Sequence, residues 1–167
     1  MAKPKLKDQR VVVLVDIQNL YYSSKVLYGR KVNYKAVLDE VVGGRKLIRA
    51  IAYGISTAEG TEEKFFEALE KSGYEVKTKD LQIFAGGQKK GDWDVGITVD
   101  AIKLSRNVDA LILVSGDGDY APLVRYLQNT AGCLVEGAAF EESTSSSLLD
   151  ILDDFTNFST DMDRFLV

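Results

Sequence analysis

Acidic side chains follow apolar runs at several points in the chain. In LILVSGDGDYAPLV, Asp117 and Asp119 come after a run of aliphatic residues and are separated by a single glycine. Asp16 ends the run VVVLV in the same way, and Asp94 follows the segment KKGDW. Carboxylates that converge repel one another, so their grouping requires a compensating cation. Oxygen ligands are those that Mg²⁺ and Mn²⁺ prefer, and the four aspartates therefore predict a divalent-metal site.

The composition restricts the chemistry that such a site can perform. The 167-residue chain has no histidine and a single cysteine, Cys133, which excludes disulfides, zinc clusters and every mechanism based on an imidazole. Cys133 lies in the apolar stretch CLVEGAAF and is expected to be a small buried side chain. A metal held by carboxylates activates a water for attack on phosphorus, so hydrolysis of a phosphodiester bond fits these residues best.

Hydrophobic runs and helical patterns alternate along the chain, which predicts an α/β domain with a mostly parallel central sheet. The run 11–15 has no polar alternation, as expected of a strand that is buried on both faces. The predicted strands cover residues 11–15, 47–55, 74–78, 81–84, 110–114 and 134–139. The predicted helices cover residues 19–27, 34–42, 61–72, 94–105, 120–130 and 146–152, and residues 86–93 are predicted to be a loop.

The order of these elements places the acidic residues at one edge of the sheet. Ligands of open parallel sheets bind beyond the carboxyl ends of the strands, and Asp16, Asp117 and Asp119 all follow such ends. Asp94 is expected to join them from the start of its helix. Asp92 is an alternative N-cap for that helix. Asp100 is a reserve candidate for the site, although it lies six residues after Asp94 and therefore on another face of the helix.

Three segments resemble the NYN domain family, a group of PIN-like proteins that includes the bacterial LabA-like proteins. They are VVVLVDIQNLYY, KKGDWDVGITVDAI and LILVSGDGDYAPLV, in that order, and they span almost the whole chain. The resemblance implies a PIN-like, Rossmann-like three-layer sandwich and cleavage of RNA with Mg²⁺ or Mn²⁺. It also implies an acidic cluster of Asp16, Asp94, Asp117 and Asp119, with Asn19 beside the cluster and Ser115 supporting the turn. Asn19 and Ser115 are also candidates for contact with the substrate.

Lysines of the middle segment are predicted to contact the RNA. Lys89 and Lys90 are the candidates for binding phosphate groups. The family's middle motif usually has its lysine and glycine immediately before a hydrophobic residue and the aspartate, whereas here Asp92 and Trp93 separate Lys90 from Asp94. Trp93 is expected to anchor the loop rather than to stack on a base.

The distribution of charged and apolar residues predicts how the chain is divided and where the protein is located. Residues 1–10 are predicted to be a basic extension, residues 11–158 the NYN domain and residues 159–167 a tail. The formal net charge of −4 divides into +2 for residues 1–140 and −6 for the remainder, which makes contact between the first part and phosphate plausible. No apolar run approaches the roughly 18 residues of a membrane span, so a cytoplasmic protein without a membrane partner is expected.

Other functions fit the residues less well or remain open. A phosphatase of the haloacid dehalogenase type needs a second aspartate two residues after its nucleophile, and Gln18 occupies that position after Asp16. A non-catalytic module that binds RNA or protein through a degenerate site is the alternative to a ribonuclease. The acidic segment 150–163, with phenylalanines interleaved, is predicted either to be a last helix over the core or to contact a protein partner or a second copy.

Overall fold

A computed structural model describes residues 5–83, 85–87 and 89–167, including their side chains except those of residues 82, 83, 89 and 90. The central sheet consists of β1 (Arg10–Asp16), β2 (Lys46–Ser56), β3 (Glu75–Asp80), β6 (Ala110–Val114), β7 (Leu134–Ala139) and β8 (Asp154–Asn157). These strands lie in the order β3-β2-β1-β6-β7-β8, and every neighbouring pair is parallel. The predicted α/β class and parallel sheet are confirmed.

Helices cover both faces of this sheet and complete three layers. They are α1 (Ile17–Tyr28), α2 (Tyr34–Val42), α3 (Glu63–Lys71), α4 (Asp94–Ser105), α5 (Ala121–Asn129), α6 (Ser146–Leu149) and α7 (Met162–Phe165). Alternate side chains of β1 enter two separate cores, Val13 on the side of α1 and α2 and Leu14 on the side of α4 and α5. No helix in the described ranges is long and apolar enough to cross a bilayer.

The order of the strands reverses between β1 and β6, the two most deeply buried strands of the sheet. From β1 the chain proceeds outward to β2 and β3, and it then returns to β6 on the other side of β1. Helices leave such a pair of strands toward opposite faces, which opens a crevice at the carboxyl ends of the strands. The residues that follow β1 and β6 therefore line one site.

The start of α1 differs from the prediction because of a side-chain cap. The helix begins at Ile17, two residues before the predicted start. The carboxylate of Asp16 accepts a hydrogen bond from the backbone nitrogen of Asn19 at 3.3 Å, which satisfies one of the amides that the first turn leaves without a partner. Asp16 is thus fixed by the last ladder position of β1 and by the helix that follows it.

The C-terminal segment forms a strand where a helix was predicted. Helix α6 ends at Leu149 rather than at residue 152, and β8 then adds a sixth strand beside β7. The prediction of a last helix over residues 150–163 was wrong, because the backbone of β7 offers pairing partners that the acidic sequence DFTN does not reveal by its own pattern. Phe158 and Phe165 lie in the core, with ring centroids 4.8 Å apart, so neither ring is exposed to a partner.

The predicted loop at 86–93 also contains regular structure. The two-residue strand β5 (Lys89–Lys90) pairs antiparallel with β4 (Gln82–Ile83). The glycines that suggested a loop lie at the tip of this hairpin, where Gly86 and Gly87 have positive φ angles of 100° and 84°. The hairpin stands apart from the central sheet, between β3 and α4 in the chain.

A buried ion pair links α2 and β2 to β7 near the amino ends of the strands. Arg45, between α2 and β2, donates hydrogen bonds to both carboxylate oxygens of Glu136, at 2.7 and 2.9 Å. The same guanidinium group donates to the backbone oxygens of Val41 and Val42. The side chain of Arg45 is 1% exposed and that of Glu136 is 11% exposed, so water cannot replace either partner.

We expect Glu136→Gln to lower the free energy of unfolding by about 3–5 kcal/mol, because the glutamine leaves the buried charge of Arg45 without its counter-ion. Urea unfolding measures the loss. Asp39→Asn, which breaks the exposed pair between Lys35 and Asp39, is the matched control and should change stability by less than about 0.5 kcal/mol. The double variant Arg45→Met/Glu136→Leu should recover most of the loss; equal destabilisation by Asp39→Asn would contradict the assignment.

Candidate metal centre

Three carboxylates from separate parts of the chain converge at the crevice between β1 and β6. Asp16 ends β1, Asp94 is the first residue of α4, and Asp117 lies three residues after the end of β6. Each offers a carboxylate oxygen, and the three oxygens lie within 4.8 Å of one another. This group, Asp16, Asp94 and Asp117, is called the carboxylate cluster below. Its separation of ligand atoms is of the size that one cation bridges.

Asp16 is the buried member of the cluster. The residue is 6% exposed, and its Oδ2 atom accepts hydrogen bonds from the hydroxyl groups of Tyr120 at 3.2 Å and Ser115 at 3.4 Å. Burial, with the charges of Asp94 and Asp117 added, raises the pKa of Asp16 to about 6. The pKa of Asp94 is also raised, mainly by burial and by the charge of Asp117. The cluster therefore concentrates negative charge that a cation would relieve.

Hydrogen bonds to the turn after β6 hold Asp117 in place. The side-chain oxygen of Asn19 accepts from the backbone nitrogen of Gly116 at 3.0 Å, and the Ser115 hydroxyl accepts from that of Asp117 at 3.2 Å. Asn19 and Ser115, which were predicted from the sequence to lie beside the acidic residues, thus stabilise the turn through two successive backbone amides. A contact between either residue and a substrate stays a prediction.

The first glycine of SGDGD is required by close packing. A Cβ atom at Gly116 would lie 2.8 Å from Oγ1 and 3.1 Å from Cα of Thr144, and the second of these atoms belongs to the backbone. The segment that contains Thr144 is itself joined to the turn, because the backbone nitrogen of Ser145 donates to the carbonyl of Gly116 at 3.0 Å. The turn can approach this segment only because glycine has no side chain.

Asp119 lies at the rim of the cluster rather than within it. Its side chain is exposed, and its backbone nitrogen donates to Oδ1 of Asp117 at 2.9 Å within a short 3₁₀ turn. The group of converging oxygens contains Asp16, Asp94 and Asp117 and does not include Asp119. Its charge nevertheless contributes to the raised pKa of Asp94, so it remains close to the site. The structure brings together three of the four predicted aspartates.

The other acidic candidates have structural partners. Oδ2 of Asp100 accepts from the Tyr53 hydroxyl at 2.8 Å and from Nζ of Lys77 at 2.7 Å, which places Asp100 in an ion pair outside the cluster. Burial opposes ionisation of Asp100, but these two bonds prevail and lower its pKa. Asp92 accepts from the backbone nitrogen of Asp94 at 3.2 Å, but Trp93, not Asp92, occupies the N-cap position of α4.

The structure shows the contacts of Trp93, the residue before Asp94, but not those of the two lysine side chains nearby. Trp93 anchors the segment as predicted, because its indole nitrogen donates to the carbonyl of Gly54 at 2.8 Å. Its ring packs against Tyr53, with the ring centroids 5.2 Å apart. Lys89 and Lys90 form β5, but their side chains lie outside the described residues, so their contact with phosphate stays a prediction.

Tyr120 was missed by the sequence reasoning. Its hydroxyl oxygen lies 3.2 Å from Oδ2 of Asp16 and 3.2 Å from Oδ1 of Asp94, and the residue is 1% exposed. The hydroxyl has one proton for two carboxylates, so it donates to only one of them at a time. Burial and the two carboxylates raise the pKa of Tyr120, which keeps its proton in place. Its position next to Asp119, at the entry to a helix, was the available signal.

The donor set of the cluster fits a divalent cation such as Mg²⁺ or Mn²⁺. Its three ligand groups are all carboxylates, which are hard oxygen donors, and two of them have raised pKa values in the absence of a counter-charge. Within the described part of the chain, no lysine or arginine is recorded in an ion pair with these three residues. The choice of Mg²⁺ or Mn²⁺ rests on the chemistry of these ligands alone.

We expect Asp16→Asn to stabilise the metal-free protein at high pH. Because folding raises the pKa of Asp16 from about 4 to about 6, its contribution favours folding below about pH 4 and is lost as the pH rises through 6. In EDTA, the variant should exceed the wild type by about 2–3 kcal/mol near pH 8 and by little near pH 4. Asparagine retains an oxygen that can cap α1. Urea unfolding at both pH values measures the difference, and a less stable variant near pH 8 would contradict this assignment.

We expect Tyr120→Phe to weaken Mn²⁺ binding by about tenfold near pH 6 and by much less near pH 8. The hydroxyl stabilises the charged form of Asp16, so its loss lets protons compete more strongly with the metal. Calorimetric titration with Mn²⁺ at both pH values measures the effect. Tyr53→Phe, which removes a tyrosine hydroxyl bonded to Asp100, is the control. An equal loss at both pH values would mean that Tyr120 acts only through packing.

Comparison with known proteins identifies the family of the chain. The chain is 26% identical over 133 residues to the low amplitude and bright protein LabA of Synechococcus elongatus, a match that covers 73% of this chain and 69% of LabA. The crystal structure of VPA0982 from Vibrio parahaemolyticus, a protein of unknown function, superposes with a TM-score of 0.88 at 33% identity, covering 99% of this chain and 100% of that one. The profile of the NYN domain matches residues 10–160. The protein therefore belongs to the NYN domain family.

Proposed function

We propose that the protein is a metal-dependent ribonuclease that hydrolyses RNA phosphodiester bonds at the carboxylate cluster. The observation that carries this proposal is the convergence of three carboxylate oxygens within 4.8 Å at the switch point of the sheet. The resemblance of NYN domains to PIN-like nucleases supports the choice of RNA. The absence of histidine from the chain leaves carboxylates and a metal as the means of hydrolysis.

Asp16, Asp94 and Asp117 would hold a Mg²⁺ or Mn²⁺ ion in this site. The ion, when bound, lowers the pKa of a water and stabilises charge on phosphate oxygens. Asp119, at the rim, would bind the ion indirectly, through a water molecule. The Tyr120 hydroxyl lies between the Asp16 and Asp94 carboxylates and would orient them. Three ionised carboxylates repel a phosphodiester, so RNA should approach this edge only after a cation has been bound.

The surface around the cluster decides how the RNA backbone is held. Lys89 and Lys90 remain the proposed phosphate contacts, and they precede Asp94 by only a few residues. Residues 1–140 have a formal net charge of +2, which becomes more positive once a metal neutralises the cluster, and this supports binding of a polyanion. The strongly acidic residues 141–167 would not favour it.

We expect Asp117→Asn to reduce cleavage of single-stranded RNA in Mn²⁺ by at least about 100-fold, because the amide keeps the shape of the side chain but loses the charge that holds the ion. The melting temperature in EDTA should rise by about 1–2 °C as carboxylate repulsion is relieved. Asp92→Asn is the matched control, since Asp92 is an exposed acid outside the cluster and an asparagine oxygen can also accept the hydrogen bond from the backbone nitrogen of Asp94. This control should retain cleavage.

Two results would count against the proposal. If the wild type and Asp117→Asn degrade RNA equally, the activity belongs to a contaminant. If neither cleaves RNA and neither binds Mn²⁺, the cluster has no metal-dependent role, and the non-catalytic module for RNA or protein replaces the ribonuclease.

A large drop in the stability of Asp117→Asn would be a separate result, because it would mean that Asp117 mainly stabilises the turn after β6.

A further inference from the structure

A pocket of about 400 Å³ opens beside the carboxylate cluster, between α1, the end of β2 and α3. This volume is within the range of small-ligand sites. Its walls are mainly apolar and include Ile17 and Tyr21 of α1 and Phe65 and Phe66 of α3. The charged residue in the described lining is Glu62, whose carboxylate accepts a hydrogen bond from the Thr57 hydroxyl at 2.7 Å.

The floor of the pocket is joined to two members of the cluster. Ile17 follows Asp16 directly in the chain. Gly54 follows Tyr53, the register partner of Asp16 in the ladder between β1 and β2. The carbonyl of Gly54 accepts a hydrogen bond from the side chain of Trp93, the residue before Asp94. A ligand in the pocket therefore lies on the same sheet edge as the cluster and beside it.

Two partly exposed aromatic rings line the pocket. Phe65 is 37% exposed, and its ring is held by an edge contact with Tyr34, with centroids 5.5 Å apart. Tyr21 is 53% exposed, and Nζ of Lys25 lies 3.3 Å from its hydroxyl oxygen and 5.5 Å from its ring centroid. Both rings are exposed enough for a flat ligand to stack on them.

The base of the pocket depends on a glycine. A Cβ atom at Gly54 would lie 2.7 Å from Cε1 of Phe66 and 3.5 Å from Cδ1 of Ile17. Glycine at this position therefore allows the Phe66 ring to pack directly against the strand and to close the bottom of the pocket. The exposed side chains of Gln18 and Thr61 stand among the remaining lining residues and carry hydrogen-bonding groups.

We propose that this pocket binds an unpaired nucleobase of the RNA whose phosphate lies at the carboxylate cluster, an inference that rests on the proposed ribonuclease function. The charges decide which part of a nucleotide enters. Glu62 and the apolar walls disfavour a phosphate, while aromatic faces stack on any base and Gln18 and Thr61 can pair with its polar edge. Lys25, whose Nζ contacts the hydroxyl and the ring of Tyr21, would supply a positive charge for the adjoining backbone. A base in a duplex is stacked on its neighbours and cannot enter, so the pocket selects single strands.

The test compares the binding of two RNA probes to the 167-residue chain in Mn²⁺. One is a fluorescein-labelled, phosphorothioate-linked oligouridylate of about eight nucleotides, and the other has the same backbone with abasic riboses. We expect the wild type to bind the first about tenfold more tightly by fluorescence anisotropy. Tyr21→Ala should lose about tenfold in affinity for the oligouridylate and nothing for the abasic probe, whereas Tyr21→Phe, which keeps the ring, should remain within about twofold of the wild type.

A neighbouring tyrosine provides the matched control. Tyr22 is 69% exposed, belongs to the same helix and does not appear in the described lining of the pocket. Tyr22→Ala should bind both probes like the wild type. Equal affinity of the wild type for both probes would overturn the inference. A loss in Tyr22→Ala as large as that in Tyr21→Ala would also overturn it, because the contact would then lie on the outer face of α1.

The inference and the proposed function can fail separately. Cleavage of unmodified single-stranded RNA, lost in Asp117→Asn, reports on the cluster, and Tyr21→Ala should raise KM for this substrate while leaving kcat and Mn²⁺ affinity within about twofold. Retained cleavage without discrimination between the probes would overturn the pocket alone. Discrimination between the probes without any cleavage would overturn the ribonuclease alone and leave an RNA-binding site.

Discussion

One carboxylate oxygen from each of Asp16, Asp94 and Asp117 lies within 4.8 Å of the other two, although the negative charges repel one another. Hydrogen bonds of the backbone hold these residues in place. Asp16 is fixed between the parallel ladder of β1 with β2 and the first turn of α1. Asp117 follows β6, which pairs with β1 along its whole length. The raised pKa values of Asp16 and Asp94 show what this arrangement costs, since burial and neighbouring charge both disfavour the ionised groups.

The carboxylates of the cluster are supported differently from those of Glu136 and Asp100. Near the amino ends of the strands, Glu136 has both oxygens satisfied by Arg45, and that pair is internally neutral. At the carboxyl ends, Asp100 is likewise paired with Lys77. The cluster is instead supported by neutral donors, the hydroxyl groups of Tyr120 and Ser115. Neutral donors orient carboxylates without cancelling their charge, which leaves the charge available to a cation.

The same sheet edge provides two surfaces of different character. The cluster is anionic and suited to a cation that binds phosphate oxygens, whereas the adjoining pocket is largely apolar and aromatic. Gly54 and Trp93 connect them through a hydrogen bond between β2 and the residue that precedes α4. A nucleotide has a corresponding division between its charged phosphate and its flat base, and the presence of both surfaces at one edge is the physical basis for proposing that the pocket takes the base.

The sequence by itself determined the α/β class, the central strands β1 and β6 and the aspartates that follow them, because uninterrupted aliphatic runs and the alternation of strand and helix are local patterns. It also placed Asp94 correctly at the start of a helix. Only the tertiary structure decided that Asp119 lies at the rim, that Tyr120 bridges Asp16 and Asp94, and that β8 completes the sheet. Side-chain direction in a short 3₁₀ turn and the pairing of a four-residue acidic strand depend on neighbours distant in the chain, and local periodicity carries no record of those neighbours.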